Sequence, residues 1–424
     1  MNILLTTVGS AGDIHPFVAI GRELLSRGHA VSMLANPYFA STITHSGIGF
    51  VPLGDEVNFQ EMMRIPNAVH PRKGGITVLR ELVFPNIKLF YERATEVMRE
   101  IRPDVVVGHH IAVGTSWACE RLGVPLATCV LAPAMWFNPL DKSVYAQGMP
   151  ENPHRWFTQL SLWLARLQMR SQYDRPVNAI RRDLGLPPQK NRVFDDTTDV
   201  GLSLGMWSRH FRGPLPGDPA SGVICGFPWH DHSPKLDLDG DLALRYLDEC
   251  EQAGDPPIVF SLGTAVVHVA GGFYHAAAEA CRKLGRRGLL LTNRPEYAPK
   301  PSELPPGVRA FAYAPFSKVM PRAACTVHHG GVGTTAQGLR SGKPTVIVPH
   351  AYDQFDHAAR TKRLGVSGTV WATKANAASL QRVLGQVLGD SQIAVRAREM
   401  GRQVAAEDGA IVAADAVEKY VSKR

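Results

Sequence analysis

Residues 328 to 335 read HHGGVGTT: His328 and His329, a turn containing Gly331 and Gly333, then Thr334 and Thr335. Such a run could ligate a metal, cradle an anion, or simply turn the chain. Zinc needs further ligands at a suitable spacing; His350 and His357 follow, but in no known zinc signature, so no metal is expected. The anion cradle fits better. A strand ending in His-His, a glycine turn and a short helix through TTAQGLRSG offer free backbone N–H groups and a positive dipole end. Glycine admits phosphate close to the backbone, and threonine hydroxyl and imidazole N–H add donors. A glycine cluster alone is weakly specific, but its neighbourhood adds weight. PHAYDQFDHAAR (349 to 360) follows the next apolar run and puts Asp353 and Gln354 on the same sheet edge. A carboxylate beside a carboxamide can hold the vicinal hydroxyls of a hexose, although Asp353 could equally cap a helix.

The elements that must position these groups are legible as rhythm. Apolar runs at 2 to 8, 30 to 36, 104 to 110, 126 to 132 and 200 to 205 read as buried parallel strands. PFVAIGRELLSRGH (16 to 29) reads as a helix with Phe17, Ile20, Leu24 and Leu25 on one face, stopped by Gly28. The Pro-, Gly- and Asp-rich stretch 212 to 257 reads as a linker with surface loops. Strands then resume at 257 to 264, 288 to 293, 308 to 313, 325 to 329 and 344 to 350. This is α/β: two doubly wound, Rossmann-like domains facing a cleft.

Two stretches interrupt the first half, 54 to 90 and 155 to 184. In the second, Trp156, Leu160, Trp163, Leu164 and Leu167 recur near helical spacing between arginines. The plain reading is a helix packed on its own domain. The sharper ones are an apolar acceptor pocket, bordered by Trp156, Trp163, Met62 and Met63, or a helix lying on a membrane surface.

The 424 residues, 45% hydrophobic and 20% charged, suit a globular protein of two or three domains. The six cysteines are scattered, with no redox or zinc spacing, and read as buried thiols of a reducing compartment. The opening MNILLTTVGSAGD has no basic leader or long apolar run, and a cytoplasmic protein is expected, with peripheral contact at the inner face of the membrane as a further option. The net charge of +8 is dispersed, which argues against nucleic acid as a partner. GSAGD lacks the G-x-G-x-x-G fingerprint, which disfavours a nicotinamide oxidoreductase.

The run FAYAPFSKVMPRAACTVHHGGVGTTAQGLRSGKPTVIVPHAYDQFDHAAR (311 to 360) resembles the donor-binding signature of family 1 glycosyltransferases of GT-B fold, in the bacterial and sterol-glycosyltransferase style. TTVGSAGDIHPFVAIGRELLSRGH resembles the opening of the same enzymes. The likeness covers almost the whole chain, is weakest from about 55 to 250, and is nearest to the rhamnosyltransferases that form rhamnolipids. It implies an acceptor domain at 1–222, a donor domain at 223–404, and a helix at 405–424 packing back on the first. By resemblance, His329, Gly331, Gly333 and Thr334 contact the donor phosphates, with His328 adjacent, and Ser261, Gly263 and Thr264 form a second loop facing the diphosphate. Asp353 and Gln354 contact the sugar. Where plant members stack tryptophan on uracil this chain has Tyr313, and where they bind ribose with glutamate it has Gln337, which leaves UDP- and dTDP-sugars both open.

Asp13, in the GSAGD turn, would from its residue type alone be a helix cap ahead of Pro16. The resemblance makes it the acid-base residue. His15 matches a variable position; His109 and His110 end a strand facing the cleft and read first as structural histidines, with contact to the base or acceptor as the alternative. The implied reaction is an inverting, metal-independent sugar transfer, without cofactor, to a hydroxyl on a hydrophobic small molecule or lipid. A sugar-nucleotide epimerase and a silent sugar-nucleotide-binding partner of another enzyme are the alternatives.

Overall fold

The short apolar runs become strands β1 (Asn2–Thr6), β2 (Ala30–Ala35), β3 (Gly49–Pro52), β4 (Val105–His109), β5 (Leu126–Val130), β6 (Leu202–Gly205) and β7 (Gly222–Ile224) in a computed structural model. It describes residues 1–57, 65–189, 201–230 and 237–424. Met62 and Met63 lie outside the described residues. The strands form one parallel sheet in the order β3-β2-β1-β4-β5-β6-β7. A second parallel sheet, β10-β9-β8-β11-β12-β13, holds β8 (Ile258–Ser261), β9 (Gly288–Leu291), β10 (Val308–Phe311), β11 (Cys325–His328), β12 (Thr345–Ile347) and β13 (Ser367–Thr369).

Both sheets change direction of strand order once, between β1 and β4 and between β8 and β11. In doubly wound sheets that switch opens a crevice beyond the carboxyl ends of the two strands, because their outgoing loops diverge to opposite sides. Asp13 and His109 follow the strands at one such crevice; Ser261 and His328, paired in register, lead into the other. The chemically suggestive residues of the sequence therefore gather at the two places where this fold binds ligands.

Several expectations need correction. The first helix runs Ala11–Ser26, not from Pro16, because Ser10 caps it and leaves Pro16 inside. The supposed linker holds a helix, Asp237–Gln252, whose Ala243, Tyr246, Leu247 and Cys250 are buried at helical spacing; its acidic residues and Gly240 masked that pattern. β7 straddles the domain boundary expected at 222, so the first sheet ends slightly later.

The last helix, Gly409–Ser422, buries Ala413, Ala414 and Val417 in the core that contains Ile3, Leu5, Phe17 and Leu24. Arg27 Nη1 donates to Asp415 Oδ1 at 2.6 Å and to Glu418 Oε2 at 2.8 Å, and His29 Nε2 donates to Glu418 Oε1 at 2.7 Å. The chain thus returns to the first sheet.

An apolar cluster joins the halves: Trp136, Trp207, Phe211 and Phe227 meet Ala336, Leu339, Val366 and Met400. Beside it lies a buried ion network. Asp141 Oδ2 accepts from Arg360 Nη2 (2.8 Å) and Arg212 Nε (3.2 Å), and Arg360 Nε donates to Asp356 Oδ2 (2.6 Å). Asp356 Oδ1 accepts the Val144 N–H at 3.0 Å, and Arg212 also pairs with Asp218. Among the described residues no helix is long and apolar enough to cross a membrane.

Candidate active site

Asp13 stands at the third position of the first helix, where its carboxylate completes a capping box with Ser10. Asp13 Oδ2 accepts from Ser10 N at 2.7 Å and Ser10 Oγ at 3.0 Å. This corrects the expected N-cap role: Ser10 is the cap and Asp13 its partner. Oδ1 is left facing His109, whose Nε2 lies 3.5 Å away. His109 is buried, and its Nδ1 accepts the Ile111 N–H at 3.3 Å, which places the ring proton on Nε2, toward Asp13. His109 thus faces Asp13 with an Nε2 that makes no hydrogen bond of its own. The sequence offered contact with the base only as an alternative for His109 and His110 together, because the adjacency to Asp13 follows from the β1–β4 crossover rather than from spacing.

His110 has a different setting. Its backbone N–H donates to Cys129 O at 3.1 Å, and burial first, then His109, holds its imidazole well below the ordinary histidine range. His15 is half-buried and meets His230 edge-on, centroids 5.1 Å apart, a partner on the interdomain segment that the sequence did not suggest.

On the facing domain, Val332–Arg340 is a nine-residue helix with Gly331 as N-cap and no capping side chain, so its first N–H groups point unclaimed into the crevice. Gly333 is exposed at that end and a side chain there would meet open space, whereas Thr334 is buried. The His329 ring is wedged between Gly263, which has φ +64°, and Gly331; a Cβ on either would collide with it. Ser261 Oγ accepts the Gly263 N–H at 3.2 Å and fixes that loop, with Thr264 partly exposed beside it. His329 Nδ1 has no protein partner, and burial first, then His328, His350 and His357, keeps the ring neutral.

His328 does not join the crevice. Its Nδ1 accepts the Gly330 N–H at 3.1 Å and its ring lies beneath the helix, near Gly338. Gln354 Oε1 accepts from His350 N (2.8 Å) and Ala351 N (3.2 Å), which leaves its amide N–H groups to donate. Asp353 has an αR backbone and caps nothing with its side chain, so the capping alternative fails. Its carboxyl is pushed up by burial, opposed by His357 (Nε2 to Oδ2 3.7 Å) and reinforced by Asp13 and Asp356. His357 Nδ1 in turn donates to Gly330 O at 2.7 Å and ties the helix after Asp353 to the glycine turn. Tyr313 is half-buried in the loop after β10, and Gln337 is buried in the Val332–Arg340 helix.

Trp156 and Trp163 are not brought to this site. They are 63% and 59% exposed on the outer face of the helix Arg155–Asp183, because Leu162, Met169 and Tyr173 take the inner face. The expected pocket border at these residues is therefore incorrect.

The buried imidazoles carry a pH prediction. Burial lowers His328 to about 3 and His350 to about 4, against about 6.5 for an unfolded histidine. Between these values the unfolded chain takes up protons that the folded chain refuses, so stability rises with pH through this window and is lost on acidification. The urea midpoint should fall between about pH 7 and about pH 5; an unchanged midpoint would mean that these rings titrate normally when folded.

Two family models match the chain: the glycosyltransferase family 28 N-terminal domain over residues 3–128, and the erythromycin biosynthesis protein CIII-like C-terminal domain over residues 289–418. O-mycaminosyltylonolide 6-deoxyallosyltransferase of Streptomyces fradiae is 31% identical over 448 residues, covering 100% of this chain and 98% of that protein. A sterol 3-beta-glucosyltransferase of Arabidopsis thaliana is 25% identical over 383 residues, covering 86% of this chain but 57% of that protein. Among solved structures, the glycosyltransferase VinC in complex with dTDP superposes with a TM-score of 0.68 at 17% identity, covering 100% of both chains.

Proposed function

Because the chain belongs to the GT-B glycosyltransferases, we propose that it transfers a sugar, with inversion and without a metal, from a nucleoside diphosphate to a hydroxyl of a hydrophobic small molecule or lipid. One observation carries the reading: the first helix, which holds Asp13, and the N-terminal end of the Val332–Arg340 helix meet across the cleft. Val332, the first residue of the phosphate helix, also packs against the core of the first domain that holds Ile14 and Phe17. A carboxylate on one side and the glycine-turn helix on the other thus face one space, which supports their reading as base and donor cradle.

In the proposed reaction the acceptor oxygen attacks the anomeric carbon as the bond from that carbon to the phosphate oxygen breaks. The acceptor proton passes to Asp13 Oδ1, and the electron pair leaves with the nucleoside diphosphate. The N–H groups at the start of the Val332–Arg340 helix and the His329 imidazole take up the charge that develops on the phosphate. His109 Nε2–H steadies the Asp13 carboxylate. The dTDP in the VinC complex supports a nucleoside diphosphate as the leaving group, and the tylonolide and sterol acceptors in the relatives' names support a hydrophobic alcohol.

The direct test is a panel of UDP- and dTDP-sugars scored by thermal protection, followed by product NMR. One nucleotide series should protect, since a ligand at 100 times its Kd adds about 2.7 kcal/mol. The product should show the anomeric configuration opposite to the donor's. Absence of protection across the panel sinks the donor reading, and a retained configuration sinks inversion. His329→Ala should weaken nucleoside diphosphate binding by roughly 10- to 100-fold in calorimetry, the loss of one hydrogen bond to a charged group. Unchanged affinity would reduce HHGGVGTT to a turn.

A further inference from the structure

The helix Arg155–Asp183 is apolar in two directions. Inward, Leu162, Met169 and Tyr173 are buried, the last two against Ile76, Leu79 and Phe84. Outward, Trp156, Leu160, Trp163, Leu164 and Leu167 are 45–63% exposed, five of the twelve large apolar side chains exposed among the described residues. Their spacing puts them on one face. A globular protein scatters such residues singly; a contiguous stripe headed by two tryptophans marks a surface that something covers.

Charge decides what covers it. Residues 155 to 173 carry Arg155, Arg166 and Arg170 and no acidic residue, and only at Asp174 does a carboxylate appear, 4.0 Å from Arg170. We propose that this face docks the protein on the surface of an anionic lipid bilayer, with the tryptophans and leucines at the level of the acyl boundary and the arginines among the headgroups. A second copy of the chain fits less well. A two-fold contact would set the arginines of one copy beside those of the other. The inner face is committed to the protein, so the helix lies on the bilayer and does not enter it.

The location suits a hydrophobic acceptor. The helix starts four residues after Glu151, whose Oε2 lies 2.6 Å from Lys362 Nζ on the helix Gln354–Arg363 that opens with the sugar-contact candidate. The start of the stripe thus follows closely on a contact between the two halves of the protein. The docking itself does not rest on the glycosyl-transfer reading.

Co-sedimentation of the full chain with vesicles tests it, using phosphatidylcholine alone and phosphatidylcholine with about 30% phosphatidylglycerol. The protein should sediment with the anionic vesicles, less with the neutral ones, and less as salt is raised. The triple variant Trp156→Gln/Trp163→Gln/Leu164→Gln should lose roughly tenfold or more of that partitioning, because binding scales with the apolar area inserted. Circular dichroism and thermal melting check that the variant folds, as substitution of exposed side chains predicts. Wild-type protein that stays in the supernatant, or a variant that sediments like wild type, overturns the proposal. So does a wild-type dimer in light scattering that the triple variant dissolves, since a second copy would then own the face.

Discussion

Asp13→Asn is expected to lower turnover by about 10²- to 10⁴-fold at saturating donor, the usual cost of losing a general base, while nucleoside diphosphate affinity and thermal stability stay near wild type. The separation of effects follows from the two oxygens. Oδ2 serves the capping box, accepting from Ser10 N and Oγ, and an asparagine carbonyl can accept the same bonds. Oδ1 faces His109 Nε2 and the cleft; an asparagine NH2 there cannot take a proton, and it meets the His109 Nε2–H as donor to donor, which removes one 3.5 Å contact and leaves the capping box in place. Steady-state rates with an alcohol acceptor, calorimetry with the nucleoside diphosphate, and a melting curve make the measurement. If the variant unfolds, the capping box was the purpose of Asp13. If it turns over normally, the base lies elsewhere on the first sheet, with His15 and His109 next in line.

Asp141→Ala should cost about 3–5 kcal/mol of stability in urea unfolding, the typical loss when one partner of a buried ion pair is removed. Burial alone would raise the Asp141 carboxyl, yet the facing Arg360 and Arg212 guanidiniums hold it below the ordinary carboxylate value. Arg360 is likewise opposed by burial and raised by Asp356 and Asp141. Without Asp141, Arg212 keeps Asp218 and Arg360 keeps Asp356, but the link between the two guanidiniums is gone and they face each other across a dry gap. The exposed pair Lys362–Glu151 joins the same two halves and is the control; Lys362→Ala should cost less than about 1 kcal/mol. Equal costs for the two variants would show that burial adds nothing to the network.

The parallel strands were legible because burial on both faces demands unbroken apolar runs such as VVVGH and LATCV, and the glycine turn because only glycine lets His329 sit against Gly263 and Gly331. The pairing of Asp13 with His109 was legible only as an alternative shared with His110. It spans 96 positions and exists only because β4 crosses over to lie beside β1, a fact of topology with no local signature. His328 and His329 look equivalent in a sequence, but consecutive residues point oppositely at a strand end, so one enters the crevice and the other goes under the helix. The stripe of Trp156 and Trp163 was visible as a period, and its direction was not. A helix with apolar residues on two faces is oriented by its neighbours, and Phe84 packs on Tyr173, its rings 4.8 Å apart, on the face opposite the tryptophans.

The return of Gly409–Ser422 to the first sheet bears on how the protein is made. Ile3, Leu5 and Phe17 share a core with Ala413, Ala414 and Val417, so the first sheet emerges from the ribosome complete in its strands but with one flank uncovered. About 185 residues separate β7 from the last helix, which at about 5–20 residues per second is a wait of roughly 10–40 s. During translation the first domain therefore carries an open apolar flank that only the final stretch of chain can close. A ribosome that stalls after the helix Ser391–Ala405 would release a second domain with its core helices in place and a first domain with an open, aggregation-prone flank.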